Sequence, residues 1–164
     1  MPEEQLPHSA VTVPTTVPPR AAPETEPVRL AIPADKDFVI LARSVAAHLG
    51  ARLGMSVEEI DDLRLAVDEA CCLFLGRSAG VAAGPVDGPC STRGLMCEFA
   101  EAGGTVAVSV SAPARDDFGR QVGTFGWCLL ESLVDGLWWR TRDGRTEVRL
   151  VKLSPSAGLA LFRR

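Results

Sequence analysis

The sequence predicts a two-layer α/β sandwich, with helices on one face of a mixed, mostly antiparallel sheet. Three observations carry that expectation. Hydrophobic periodicity switches between two and 3.6 residues in the order strand, helix, helix, strand, strand, helix, strand, strand, which is the pattern of a sheet covered on one side. Two glycine-bearing turns, Gly103-Gly104 and Asp143-Gly144, each separate two alternating segments and so mark hairpins. Finally, Ser56 to Gly76 reads as an amphipathic helix with punctuation at both ends.

Residues 1–26 come first. Together with Pro27 they hold seven of the twelve prolines and almost no large apolar side chain, so the segment is expected to be a disordered tail. The folded domain is expected over residues 27–154, with 155–164 a short apolar and basic tail. Val28, Leu30 and Ile32 alternate with Arg29 and Ala31 as a strand ended by Pro33, and Asp35 or Asp37 is placed to cap the next helix. From Asp37 to Gly54 the set Phe38, Leu41, Ala42, Val45, Leu49 and Leu53 has helical spacing, with Arg43, Ser44, Ala47 and His48 on the other face. His48, with no partner in sight, reads as a solvated helix residue.

The second helix organises the chain. Ser56 followed by Glu59 is a capping box, and Glu58, Glu59, Asp61 and Asp62 crowd the first turn, where the helix dipole favours negative charge. Gly76 stands where a left-handed cap costs least. Ile60, Leu63, Val67, Ala70, Cys71 and Phe74 form a broad apolar stripe, and Leu65, Glu69 and Leu73 form a narrower one. Glu69 is thus a carboxylate in an apolar row. Residues 77–94, rich in Gly and Pro, read as an irregular surface excursion. Leu95, Cys97 and Phe99, then Val106, Val108 and Val110, are the inward positions of a hairpin. A helix comes after Thr124, and strands at 137–141 and 146–153 close the fold. Trp138 and Trp139 must face opposite sides of the sheet, one entering the core and the other either covered locally or a candidate partner anchor.

Composition bounds the function. A chain of 164 residues, 46% apolar, is one domain with room for a tail. A net charge of −4 argues against direct nucleic-acid binding, and no run is long enough to span a bilayer. There is no basic region followed by an apolar stretch, so no secretory signal is expected and the chain is read as cytoplasmic. The five cysteines lack any C-x-x-C spacing and read as reduced thiols packed as small hydrophobes, not as metal or redox groups. Arginine outnumbers lysine, of which there are only Lys36 and Lys152, a bias typical of a high-GC genome such as an actinobacterium's.

Leu-Arg-Leu-Ala-Val-Asp-Glu-Ala at 63–70 resembles the N-box helix of the RsbW-like anti-sigma factor and serine kinase family, bacterial members of the histidine-kinase-like (GHKL) ATPases. That helix reads roughly L-x-L-A-V-x-E-A-x-x-N. The resemblance covers about Pro27 to Leu153 and implies a Bergerat fold. It implies that Glu69 would act on the attacking hydroxyl or water in an active kinase, and that the magnesium-binding Asn falls on Leu73, which has no oxygen to offer a hard cation. The adenine-reading loop, D-x-G-x-G in active relatives, corresponds to Ser111-Ala112-Pro113-Ala114-Arg115, with neither the Asp nor the glycines. Gly126 matches the second glycine of the phosphate turn, and Thr124 stands at the first. Gly144 and Thr146 resemble the closing G-T-T, with an arginine inserted.

An enzyme reading, an ATP-dependent serine kinase acting on an anti-anti-sigma protein, needs metal ligation and a phosphate cradle, and three of its parts are altered together. A binding-module reading needs only the scaffold. The expectation is therefore an anti-sigma factor that sequesters an alternative sigma factor in stress response or development. It would be released by an anti-anti-sigma (STAS) partner, form a homodimer, and hold neither a metal nor, in the main reading, ATP. Glu69, Leu73, Gly126, Gly144 and Thr146 would line the degenerate nucleotide pocket. A third reading keeps that pocket for another small ligand, sensed without hydrolysis.

Overall fold

The computed structural model describes residues 26–75 and 94–155. The expected tails at 1–25 and 156–164, the Gly76 cap and nearly all of the 77–94 excursion lie outside the described residues.

Strand β1 (Val28–Ile32) is followed by a 3-10 turn and helix α1 (Val39–Arg52), then helix α2 (Val57–Leu75). A hairpin of β2 (Leu95–Ala102) and β3 (Thr105–Pro113), helix α3 (Phe125–Leu133), and a second hairpin of β4 (Gly136–Arg142) and β5 (Arg145–Leu153) complete the chain. The sheet order is β1-β2-β3-β5-β4, and all four pairings are antiparallel. Three helices cover one face, and the sandwich expected from the sequence is the one observed.

Local chemistry accounts for the boundaries. Asp35 Oδ1 accepts from the Asp37 N–H at 3.0 Å and opens the first turn. Ser56 and Glu59 form the reciprocal box: the Ser56 N–H donates to Glu59 Oε2 at 2.7 Å, and the Glu59 N–H to Ser56 Oγ at 3.2 Å. Such a pair stabilises a helix start by about 1 kcal/mol. Both hairpin turns need two residues with positive φ, supplied by Gly103 (57°) with Gly104 (76°) and by Asp143 (51°) with Gly144 (72°). That is the turn whose twist suits a two-residue hairpin.

Leu63, Val67, Cys71 and Phe74 of α2 meet the inward rows Leu95, Cys97, Phe99 and Val106, Val108, Val110 in one core. Of the face expected for α1, Ala42 and Leu49 are buried and Val45 and Leu53 pack against the core, but Phe38 and Leu41 do not. Val39, Ala42, Ala46, Leu49 and Gly50 are buried, while Phe38 and Leu41 are exposed. Close approach decides the rotation. A Cβ at Gly50 would come within 3.1 Å of Ile60 Cγ1 and 3.3 Å of Met55 Sδ, so α2 packs against the small residues of α1 and turns the bulkier ones outward. His48 is exposed, as expected.

The two tryptophans part as the alternation requires. Trp139 enters the core side and meets Phe118 at 5.3 Å. Trp138 lies on the outer face, half-buried, with the Arg149 guanidinium 5.2 Å from its ring centroid, so it is locally covered and is no bare anchor. Cys71 and Cys97 are buried in the core as expected, but Cys72 and Cys128 are exposed. A helix cannot turn two adjacent side chains to the same interior.

Candidate functional site: a polar cleft between α2 and the start of α3

Helix α3 packs against α2 with its N-terminus at the row Glu69–Leu73. Gly126 makes this possible: a Cβ there would lie 3.3 Å from Glu69 Oε2 and 3.8 Å from Leu73 Cδ2. The Glu69 carboxylate therefore rests against the first turn of α3, where exposed N–H groups attract negative charge. Thr124 caps that turn, its Oγ1 accepting from the Trp127 N–H at 3.4 Å and donating to the Gln121 carbonyl at 2.7 Å. With φ of −71°, Thr124 needs no glycine. The left-handed residue of this entry is Gly123, at 83°.

A cavity of about 390 Å³ opens here, lined by Glu69, Cys72 and Leu73 from α2, by Asp117, Arg120, Gln121 and Thr124, and by Gly126. Of the sequence-predicted site residues, the fold brings Glu69, Leu73 and Gly126 together. Gly144 and Thr146 stand apart from this wall. Gly144 turns the β4–β5 hairpin, its carbonyl accepting from the Ala114 N–H at 2.8 Å. Thr146 is buried, sharing a hydrogen bond of 2.8 Å with the Thr141 hydroxyl. Deeper in, Phe118 is buried and stacks on Phe74 with centroids 5.1 Å apart, so aromatic rings fill the space between α2 and the sheet.

Sequence reasoning missed several members of this site. Asp117 takes the N-cap position of the 3-10 turn Phe118–Gln121, but its side chain makes no cap bond and instead pairs with Arg115 at 3.3 Å. No pattern in the sequence marks Arg120 or Gln121. For Cys72, only its helical spacing from Glu69, one turn away, carries any signal.

The chemistry on offer is limited. Although Cys72 is exposed, partial desolvation of its thiol against α2 and the cleft, and then the carboxylates of Asp68 and Glu69, push it up from its ordinary value, so it is a poor nucleophile. Leu73 is buried and presents only hydrocarbon. Beside the cleft the surface turns apolar: Phe125 is 82% exposed, and Val122 is exposed as well.

The histidine kinase-like ATPase domain family matches residues 32–152, well over half of the chain. No curated protein matches it. Among solved structures, the chain is similar to the crystal structure of the RsbU and RsbW domains of Rv1364c from Mycobacterium tuberculosis, with a TM-score of 0.57 and 19% identity. That likeness covers 79% of this chain and 33% of the other, so the present chain corresponds to about a third of its neighbour's length. Helix, turn and sheet patterns, the Glu69–Gly126 junction and the match over 32–152 agree, and the chain belongs to the histidine kinase-like ATPase domain family.

Proposed function

We propose that this chain is an anti-sigma factor that works by binding, not by phosphoryl transfer. It would sequester an alternative sigma factor in stress response or development and would be released by an anti-anti-sigma partner of STAS type. The proposed setting is the cytoplasm, where sigma factors act. No helix among the described residues is long and apolar enough to cross a membrane, and the net charge of −4 disfavours direct nucleic-acid contact. A homodimer with two-fold symmetry completes the reading.

One observation carries the proposal: the residues at the α2–α3 junction do not fit magnesium and a nucleotide. Phosphoryl transfer rests on positioning and on charge neutralisation by the metal. Leu73 stands where an oxygen ligand would be needed, and it is packed in the core. Residues 111–115 offer no carboxylate to an adenine amino group, and Phe118 occupies the space beneath α2. What the site does offer, an exposed Phe125 and Val122 beside Arg120, suits a protein partner.

Calorimetry with Mg-ATP and radiolabelled phosphate transfer to a STAS protein test this. We expect neither binding at micromolar concentration nor labelled partner. Transfer by the wild type would make Glu69 the general base and overturn the proposal. Tight binding without turnover would replace it with a ligand-sensing anti-sigma factor. A different small ligand in the 390 Å³ cleft is the second reading, supported by the gathering of Glu69, Arg120, Gln121 and Thr124 around it.

A further inference from the structure

Three polar side chains that line the cleft between α2 and the start of α3 spend nothing on the protein itself. Glu69 on one wall, and Arg120 and Gln121 on the turn that forms the other, make no side-chain hydrogen bond and no ion pair among the described residues. The rest of the polar lining is already engaged. Asp117 is held by Arg115 at 3.3 Å, and the Thr124 hydroxyl is used in capping α3. A carboxylate and a guanidinium therefore face the same space of about 390 Å³ without meeting each other.

The fold keeps the two walls apart. Glu69 is half-buried on α2, its carboxylate 3.3 Å from where a Cβ of Gly126 would stand. Arg120 follows Phe118, whose buried ring stacks on Phe74 and touches Trp139, so this turn is pinned to the core. The surface between the walls is apolar and uncharged. Leu73 is buried there and shows only hydrocarbon, and the Cys72 thiol, pushed up from its ordinary value, stays protonated.

Opposite charges held apart beside an apolar wall are matched by a small molecule that carries both. A simple carboxylate satisfies Arg120 alone and a polyamine Glu69 alone, and a charge that loses water without gaining a partner works against binding. We propose that the cleft binds a small zwitterion of the α-amino-acid class. Its ammonium group donates to Glu69, its carboxylate accepts from Arg120 and the Gln121 amide, and its side chain lies on Leu73 and Cys72. The space is at the small end of ligand pockets, which suits such a molecule. This rests on the second reading above, a pocket that senses a ligand without hydrolysis, and gives that ligand a class. Occupation ties α2 to the turn before α3, beside the exposed Val122 and Phe125, and so couples the ligand to whatever docks there.

Calorimetric titration of the full chain with each L-amino acid tests the proposal, followed by the methyl ester and the N-acetyl derivative of the tightest binder. At least one amino acid should bind with a Kd of about 1 mM or below. The ester lacks the carboxylate charge and the N-acetyl form the ammonium, and each should bind about tenfold more weakly or worse. Two variants assign the ends. Glu69→Gln should weaken the free amino acid about tenfold and leave the N-acetyl form unchanged, and Arg120→Gln should do the same with respect to the ester. Neither side chain is packed in the core, so circular dichroism should show both variants folded. Binding of no amino acid, binding indifferent to both substitutions, or tighter binding of spermidine or acetate refutes the zwitterion site. If Mg-ATP also fails to bind, the binding-only anti-sigma reading stands without it. If Mg-ATP binds tightly in place of an amino acid, both fall.

Discussion

Replacing Phe118 by alanine tests the aromatic plug beneath α2. The ring is 2% exposed and contacts Phe74 at 5.1 Å and Trp139 at 5.3 Å. Its burial is worth about 2–3 kcal/mol, and each ring pair adds roughly 0.5–1.5 kcal/mol beyond area. The expected loss is therefore about 3–5 kcal/mol, the usual range for a truncated core phenylalanine. Against a domain stability of about 5–15 kcal/mol, the variant should fold but unfold at much lower urea concentration. Phe118→Leu, which keeps much of the volume, should lose about 1–2 kcal/mol. Equilibrium urea unfolding followed by tryptophan fluorescence reports both, with an unchanged slope as the sign that only stability moved. A loss below about 1 kcal/mol for the alanine variant would show that the 118–121 turn is not packed against α2 and the sheet, and the argument that rings fill the space beneath α2 would fail.

Other expectations rest on single contacts. Ser56→Ala should cost about 1 kcal/mol by removing half of the capping box, read as a shift in urea midpoint. Phe125→Ala should leave the unfolding midpoint unchanged, since the ring is exposed, yet weaken partner binding in surface plasmon resonance. The Cys71 thiol is pushed well up from its ordinary value of 9.0 by its hydrogen bond with Cys97 and by burial. The folded form thus keeps a proton that the unfolded chain releases, so this contribution to stability is complete below pH 9.0 and declines as pH rises above it. Urea midpoints of the wild type should hold steady below pH 9.0 and fall above it. With thiol reagents at neutral pH, Cys72 and Cys128 should be labelled in the native protein, Cys71 and Cys97 only after unfolding.

Much of the fold was legible because its signals are local. The capping box at Ser56, the paired positive-φ turns and the alternation through Val106, Val108 and Val110 each rest on a few neighbouring residues, and each was found where expected. The opposition of Trp138 and Trp139 followed from the pleat alone. Which one was covered, and by what, depended on Arg149 from the neighbouring strand, which no local pattern encodes. On α1, Ala42, Val45, Leu49 and Leu53 pack as expected, but Leu41 and Phe38 were misjudged because hydrophobic size favoured them, whereas the close helix contact at Gly50 turned them outward. At the site, Glu69, Leu73 and Gly126 were recoverable from a motif resemblance and helical spacing. Phe118, Arg120 and Gln121 were not, since a short turn among charged and glycine residues has no periodicity to reveal its inward side chains. Thr124 looked like a lost glycine; its backbone is ordinary and its hydroxyl is a cap.

The most direct test of the central claim is affinity capture of the full chain from its native cell without added nucleotide, followed by reconstitution with the captured protein and core RNA polymerase. A binding-only anti-sigma factor predicts an alternative sigma factor in the capture, a stable complex formed equally well with and without Mg-ATP, and loss of that sigma factor from polymerase. Restoring Leu73→Asn should not change this, because residues 111–115 would still lack the adenine contact and Phe118 would still fill the space beneath α2. A capture that holds no sigma factor, or a complex that forms only when Mg-ATP is supplied, would contradict it.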